Sequence, residues 1–272
     1  MAMIFNGLKF AQEKEKKLKA AIEKRKLRLK LVVVLVGDDK ASLVFIKKKK
    51  EAAERVGIEF ELKEFPSDAS EEGIISFIKK KNAEKEVAGI MVQLPLPSKF
   101  DESKVLRSIH PFKDVDCLHP KNLGLLMIGK PIYYPATVRA VLEIITKGVN
   151  SVPIHDRDFF VGKEVVIVGA SNLVGKPLAV VLSNLGATVT LCRSTCRDLA
   201  RHTKLAEILI TATGNQGLIK KEMVKKGVVV IDVGELKGDV EEDVSSVASV
   251  ITPVPGGVGP VTVVSLLENM IK

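Results

Sequence analysis

The segment LVVVLVG, Leu31–Gly37, is a continuous apolar run that stops at a glycine. A run without a polar face reads as a strand covered on both sides, and such strands lie in parallel sheets. Parallel neighbours need crossover connections, usually helices, so this run predicts a βαβ layout around it. The flanking sequence supplies one. Ser42–Val56 reads as a helix, with Ser42 as N-cap and Gly57 as C-cap. IEFELKEF, Ile58–Phe65, alternates as a strand does. A helix opening at Ser67 or Ser70 carries Ile74, Ile75 and Ile78. AGIMVQLPLP, Ala88–Pro97, reads as a strand stopped by prolines.

Residues 100–134 are irregular, and Thr137–Lys147 reads as a helix. A second βαβ series starts with EVVIVGASNLVG, Glu164–Gly175. Strands are expected in ATVTLCRS, AEILITATG and GVVVIDVGE, and SVITPVPGGVGP leads into a last helix, Val261–Ile271. Two α/β halves joined near residue 135 are expected.

Composition narrows the function. A chain of 272 residues with 46% hydrophobic and 28% charged residues is not a low-hydrophobicity disordered chain. No apolar run approaches the ~20 residues of a membrane span, and MAMIFNGLKF carries no secretory pattern. Three cysteines without a CxxC pair disfavour a disulfide framework or zinc site and point to a reducing cytoplasm. The net charge of +9 sits at the front: the first fifty residues hold 15 Lys/Arg against 5 Asp/Glu. With 4% aromatics and no Trp, no stacking platform for single-stranded nucleic acid exists. A solvated helix face, or a field attracting a small anion, are the other readings.

Gly169, Gly175 and Pro177 mark a strand-to-helix turn where backbone N–H groups and the helix dipole suit a pyrophosphate. The spacing is G-x5-G, with Ala170 and Ser171 in the turn; a plain turn is the alternative. After the next strand stand Arg193 and Ser194, with no acid until Asp198, which favours NADP over NAD. Thr213 and Gly214 in TATG, and Gly234 and Glu235 in DVGE, end later strands, where ligand contacts and ordinary turn chemistry are equally good readings. Thr252–Pro260, with three glycines and three prolines, is expected to be a rigid loop able to lie against a flat ligand. Lys47–Lys50 fan around the helix, and Lys49, one turn below Phe45, is the candidate to point inward; from the residues alone a solvated lysine is the stronger reading. Gln93 and the pair Asp114/Asp116 sit at a strand end and in a tight segment. His110 and His119 lack metal-ligand spacing, so no metal site is expected.

Together these motifs resemble the bifunctional methylenetetrahydrofolate dehydrogenase/cyclohydrolase family. The match runs in order through S-x-x-F-x-x-x-K (Ser42–Lys49), VQLPLP (Val92–Pro97), P-x-KDVD and HP-x-N-x-G (Pro111–Gly124), GASNLVGKP (Gly169–Pro177), DVG, GDV and TPVPGGVGPVT (Thr252–Thr262). The resemblance implies oxidation of 5,10-methylenetetrahydrofolate with NADP and hydrolysis of the methenyl product to 10-formyltetrahydrofolate. It implies catalytic roles for Lys49, Gln93 and Asp116. Substrate contacts are expected from Phe45, Val92, Leu94, Pro255, Gly256, Gly257, Val258 and Gly259. Cofactor contacts are expected from Gly169, Ala170, Ser171, Arg193, Ser194, Thr213, Gly214, Gly234 and Glu235. It further implies an N-terminal α/β substrate domain over 1–135 with a last helix, 260–272, packing back on it. A C-terminal Rossmann-like domain with a parallel sheet is expected over 136–259. A cytoplasmic homodimer in one-carbon metabolism and purine biosynthesis, acting on folates that carry glutamate carboxylates, completes the expectation, with no nucleic-acid or membrane partner.

Departures from the family pattern are Phe45 where Tyr is usual, Ala136, Val138 and Ala140 in place of P-C-T-P-x-G residues, and Glu235 after DVG. Phe keeps a stacking surface and loses a hydrogen bond. The competing expectations are a folate-binding homologue with reduced or single activity and a shikimate-dehydrogenase-like NADP oxidoreductase.

Overall fold

The computed structural model describes residues 2–149, 152–153, 157–234 and 237–271. Among these, the strands are β1 Met3–Ile4, β2 Lys30–Val36, β3 Glu59–Phe65, β4 Val87–Val92, β5 Glu164–Val168, β6 Thr188–Cys192, β7 Ile208–Thr211, β8 Val229–Asp232 and β9 Val250–Ile251. The α-helices are α1 Gly7–Lys24, α2 Lys40–Val56, α3 Glu71–Ala83, α4 Glu102–Arg107, α5 Pro120–Met127, α6 Ala136–Glu143, α7 Arg157–Phe160, α8 Gly175–Asn184, α9 Leu199–Thr203 and α10 Val258–Glu268. The chain divides into two compact units. One holds Gln12–Leu125, Pro131–Ala136 and Val263–Lys272; the other holds Met1–Ala11, Leu126–Lys130 and Thr137–Thr262.

In the first of these units, β3-β2-β4 form a wholly parallel sheet. Central β2 is buried from Leu31 to Val36, as its unbroken apolar sequence requires. Val32, Val34 and Val36 pack with Ile74 and Ile78 of α3 and with Ile90 and Val92 of β4. Helix α2 starts earlier than its sequence suggests. Its N-cap is Asp39, whose carboxylate accepts the Ser42 N–H at 2.7 Å, while Ser42 is buried inside the helix. A carboxylate there both caps and favours the helix dipole. Gly57 closes α2 at φ 82°, and Ser70 caps α3. Strand β4 ends at Val92, short of Pro97, although the Gln93 N–H still reaches Val34 O at 2.8 Å.

Beyond β4, Ile90 forms a single parallel bridge with Asp114, and its N–H donates to Lys113 O at 2.7 Å. Residues 113–116 therefore run along the edge of β4. Asn269 holds this stretch from the other end of the chain, donating to Val115 O at 2.8 Å and Tyr134 O at 2.9 Å. Lys14 of α1 is buried and bonds Ser265 Oγ and Glu268 Oε2, each at 3.0 Å.

The other unit carries a six-stranded sheet in the order β1-β9-β8-β7-β5-β6, with every pair parallel. From β5 the chain crosses to β6 on one side and then to β7 on the other. The carboxyl ends of β5 and β7 therefore flank a topological switch point, the place where doubly wound sheets bind ligands. The edge strand Met3–Ile4, paired with Val250–Ile251, has no counterpart in the sequence reading. Helix α6 passes into a π-helical stretch, Ile144–Val149, where one helix over Thr137–Lys147 is expected. Helix α10 begins at Val258, so the expected loop Thr252–Pro260 is shorter and Val258 and Gly259 lie in a first helical turn. Pro260 is tolerated there because N–H groups of a first turn have no intrahelical acceptor.

Candidate active site and dinucleotide site

Lys49 follows the carboxyl end of β2 on α2, and Gln93 follows the carboxyl end of β4. Their side chains meet: Lys49 Nζ donates to Gln93 Oε1 at 2.8 Å. Gln93 is buried, and its Nε2 donates to Leu94 O at 2.9 Å, which fixes the amide so that its oxygen faces the lysine. Lys47, Lys48 and Lys50 are exposed, whereas Lys49 is partly covered. At about 100° per residue, one lysine of four turns inward. Phe45, one helical turn before Lys49, is partly buried, and Lys48 Nζ lies 5.6 Å from its ring centroid.

Asp116 completes the cluster. Burial pushes its carboxyl above the ordinary aspartate range; the charge of Lys49 opposes that rise, Asp114 adds to it, and the Ala136 N–H opposes it. The charge of Lys49 thus acts directly on Asp116. Asp114 itself faces inward. It accepts from Leu118 N–H at 3.1 Å, His119 N–H at 2.8 Å and Asn122 Nδ2 at 2.8 Å. Asp114 is therefore a buried fastener of the loop, and Asp116, two residues on, is the carboxyl that feels the charge of Lys49. From the residues alone Asp114 and Asp116 are equals, and the family resemblance picks out Asp116; the HP-x-N spacing carrying Asn122 is the local signal that separates them.

The expected substrate residues are placed unevenly. Leu94 packs at the rim of the apolar cluster under β2 and β4. Val92 is a correction: its side chain is buried inside that cluster, so it supports the site instead of lining it. Pro255 and Gly259 are exposed, Gly256 is partly exposed, and Gly257 and Val258 are buried. Gly256 adopts φ 99°, and a Cβ on Gly257 would press on Pro253 O at 2.5 Å, so the TPVPGG turn folds tightly on itself.

At the switch point, Gly169 adopts φ 110°, and any Cβ there would overlap Ala212 O; a Cβ on Gly175 would overlap Gly169 O. The Gly169 N–H is committed to Cys192 O at 3.0 Å, so its contribution is close approach and not donation. Ser171 pins the turn, its Oγ accepting the Val174 N–H at 3.1 Å and its carbonyl the Lys176 N–H at 3.0 Å. Ala170 is partly buried between them. No side chain caps the N-terminus of α8. Arg193 and Ser194, after β6, are exposed. An uncapped helix N-terminus at a switch point beside an exposed guanidinium fits the phosphates of a dinucleotide. Thr213 N–H donates to Asp239 Oδ2 at 2.7 Å, and Gly214 follows at φ 70°. Gly234 N–H donates to Asp232 Oδ1 at 2.8 Å. Glu235 lies outside the described residues. Asp232 and Asp239, which sequence reasoning passed over as site residues, hold the rim of this sheet from below; their signal was the DVG and GDV pair. Among the described residues, no group of three His, Cys, Asp or Glu side chains could hold a metal ion.

A doubly wound NAD(P)-binding unit and a second α/β unit with a paired lysine and glutamine define the class of dinucleotide-dependent dehydrogenases that work on a separately held substrate. Residues 5–116 match the catalytic domain of the tetrahydrofolate dehydrogenase/cyclohydrolase family, and residues 135–272 match its NAD(P)-binding domain. The chain belongs to that family and is an NADP-dependent dehydrogenase and cyclohydrolase of folate one-carbon chemistry. It is 44% identical to the bifunctional protein FolD of Exiguobacterium sibiricum, covering 100% of this chain and 99% of that one. The crystal structure of the FolD methylenetetrahydrofolate dehydrogenase/cyclohydrolase of Campylobacter jejuni superimposes with a TM-score of 0.92 at 37% identity, covering 99% and 97% of the two chains. The Trypanosoma brucei dehydrogenase-cyclohydrolase, complexed with NADP and an inhibitor, gives 0.91 at 35% identity, covering 99% and 96%. These relatives do not favour a shikimate-dehydrogenase-like activity or a catalytically reduced homologue.

Proposed function

We propose that Lys49, Gln93 and Asp116 form the centre at which 5,10-methylenetetrahydrofolate is oxidised and its methenyl product hydrolysed to 10-formyltetrahydrofolate. The observation that carries this reading is the 2.8 Å bond between Lys49 Nζ and Gln93 Oε1, with the neighbouring lysines in solvent. NADP, when bound, supplies the two-electron acceptor for the oxidation. Gly169, Ala170, Ser171, Thr213, Gly214 and Gly234 would flank it, and Arg193 with Ser194 would take its 2′-phosphate.

Hydrolysis needs a water oxygen to bond the methenyl carbon, a proton to leave that water, and a proton to reach the departing ring nitrogen. The Lys49 amine, held in one rotamer by Gln93, can hold and pass that proton at Nζ. Asp116 would accept two N–H groups of the pterin edge. Phe45 and Leu94 would supply apolar surface for the flat ring. Exposed lysines of α1 and α2 suit glutamate carboxylates on the substrate. The protein is read as a cytoplasmic homodimer serving purine biosynthesis. Its division of labour is read as 1–135 with 260–272 for folate and 136–259 for NADP, except that Met1–Ala11 and Leu126–Lys130 belong to the unit of the six-stranded sheet.

The test is incubation of purified protein with methylenetetrahydrofolate and NADP, following reduced cofactor and the formyl product. Formation of both supports the proposal. Reduced cofactor without formyl product removes Lys49 from hydrolysis.

A further inference from the structure

Cys192 ends β6, and Cys196 stands four residues on, across a turn closed by the Cys196 N–H to Arg193 O bond of 2.9 Å. Both side chains belong to one apolar cluster, with Cys192 buried within it and Cys196 packed at its margin. We propose that Cys192 and Cys196 are a peroxide-oxidisable thiol pair that closes into a disulfide around the Arg193–Thr195 turn.

Three observations support this. The 2.9 Å turn bond folds Cys196 back onto the apolar cluster that holds Cys192, so both thiols sit in one packed group, and burial pushes the Cys192 thiol up to about 11, which leaves Cys196 as the one that meets an oxidant. Their exposure differs in the way a two-step oxidation needs: Cys196 is partly exposed while Cys192 is 3% exposed. The residues between them, Arg193, Ser194 and Thr195, are exposed, so the turn can adjust without disturbing the core. Cys117, by contrast, is buried with its thiol on Tyr133 O at 3.2 Å.

The chemistry balances with one hydrogen peroxide. The Cys196 thiolate attacks a peroxide oxygen; an S–O bond forms, the O–O bond breaks, and hydroxide leaves as water, giving a sulfenic acid. The Cys192 sulfur then attacks Cys196 Sγ. An S–S bond forms, the S–O bond breaks, and the hydroxyl leaves as water with the Cys192 proton. Two thiols are oxidised and one peroxide is reduced to two waters. A solvent-accessible thiol with a second thiol close in the chain can pass from sulfenic acid to disulfide. If Arg193 and Ser194 hold the cofactor phosphate, which rests on the proposed function, bound NADP covers the route to Cys196 and slows the reaction.

The full chain is treated with hydrogen peroxide, alkylated and digested with trypsin, which cuts after Arg193 and Arg197. The expected product joins the peptide ending at Arg193 to Ser194–Arg197, lighter by two hydrogens than the sum, and returns to free thiols with dithiothreitol. Cys196→Ser is expected to remove the joined product. Cys192→Ser is expected to leave a sulfenic acid on Cys196 that dimedone captures. Overoxidised Cys196 without a joined product in the unaltered chain overturns the pair, as does unchanged alkylation of both thiols. A joined product that forms equally fast with and without NADP leaves the pair standing and overturns the cofactor reading of the turn.

Discussion

The Lys49 ammonium and the Gln93 amide oxygen lie 2.8 Å apart although 44 residues separate them in the chain. Lys49 comes from within α2, the helix that follows β2, and Gln93 from the residue after β4, a strand paired with β2. Lys49→Met is expected to lower methenyltetrahydrofolate hydrolysis by about 10²–10⁴-fold, the usual worth of a positioned proton-transfer group. Lys47→Met, a change at an exposed lysine, is expected to leave it unaltered. The absorbance decay of the methenyl compound reads both, and a wild-type rate in Lys49→Met would falsify the assignment.

In the proposed site, Asp116 would tie substrate binding to pH. Its folded carboxyl titrates above the ordinary aspartate value because burial outweighs the attraction of Lys49. A raised folded value means that the fold favours the protonated form. This contribution is fully present below the unfolded value and is lost as pH rises through the folded one. Folate binding runs oppositely, since only the carboxylate accepts two N–H groups. Folate KM is therefore expected to climb as pH falls, starting above the ~3.9 of a free aspartate. In Asp116→Asn that pH dependence disappears, folate KM rises about tenfold or more, and the melting temperature near neutral pH does not fall.

Arg193 is exposed at the end of β6 with no acid beside it in sequence until Asp198. Arg193→Ala is expected to raise the NADP KM by about 1.5–3 kcal/mol, or roughly ten- to a hundredfold, while the NAD KM stays put. Equal changes for the two cofactors would move the 2′-phosphate elsewhere.

Phe45 offers a gain-of-function test. Phe45→Tyr adds a hydroxyl one helical turn from Lys49 and is expected to speed hydrolysis by about two- to tenfold, the worth of one net hydrogen bond. Single-turnover hydrolysis separates this from substrate binding, and a slower variant would mean that the pocket has closed around the phenyl ring.

Gly175 has no room for a side chain, because a Cβ would overlap Gly169 O. Gly175→Ala is expected to cost about 1–3 kcal/mol of stability and to weaken NADP binding, since the β5–α8 turn must open to admit the methyl. Denaturant titration with and without NADP measures both effects.

Much of this was legible beforehand. Runs such as LVVVLV and EVVIV are apolar throughout because both faces of a parallel sheet are covered, and their burial in β2 and β5 follows. Gly57 was legible because caps have strong local chemistry, and Ser70 was one of two serines offered, Ser67 being the other. Asp39 was missed as the cap of α2 because Asp39 and Ser42 are both good cap residues and the choice rests on backbone angles. The start of α10 was placed late because prolines and glycines read as a loop, whereas Pro260 sits in a helical first turn. Helical phase alone did not single out Lys49; the family resemblance picked it and paired it with Gln93, because their meeting is set by which strands are adjacent and no local pattern carries that. Asp114 and Asp116 share a residue type and a neighbourhood, and beside the family resemblance only the donors gathered round Asp114 assign the two carboxylates different work.

Met3–Ile4 docks in parallel beside Val250–Ile251, so the nucleotide-binding sheet recruits its outermost ribbon from the far end of the polypeptide. During synthesis that ribbon waits, unpaired, until Val250–Ile251 has left the ribosome. A fragment trimmed to the NAD(P)-binding match alone, beginning at residue 135, would lack the ribbon and leave the backbone edge of Val250–Ile251 bare. Such an edge invites another molecule to pair with it. Fragments of this kind are therefore expected to self-associate, and restoring the missing ribbon as a separate peptide is the natural remedy.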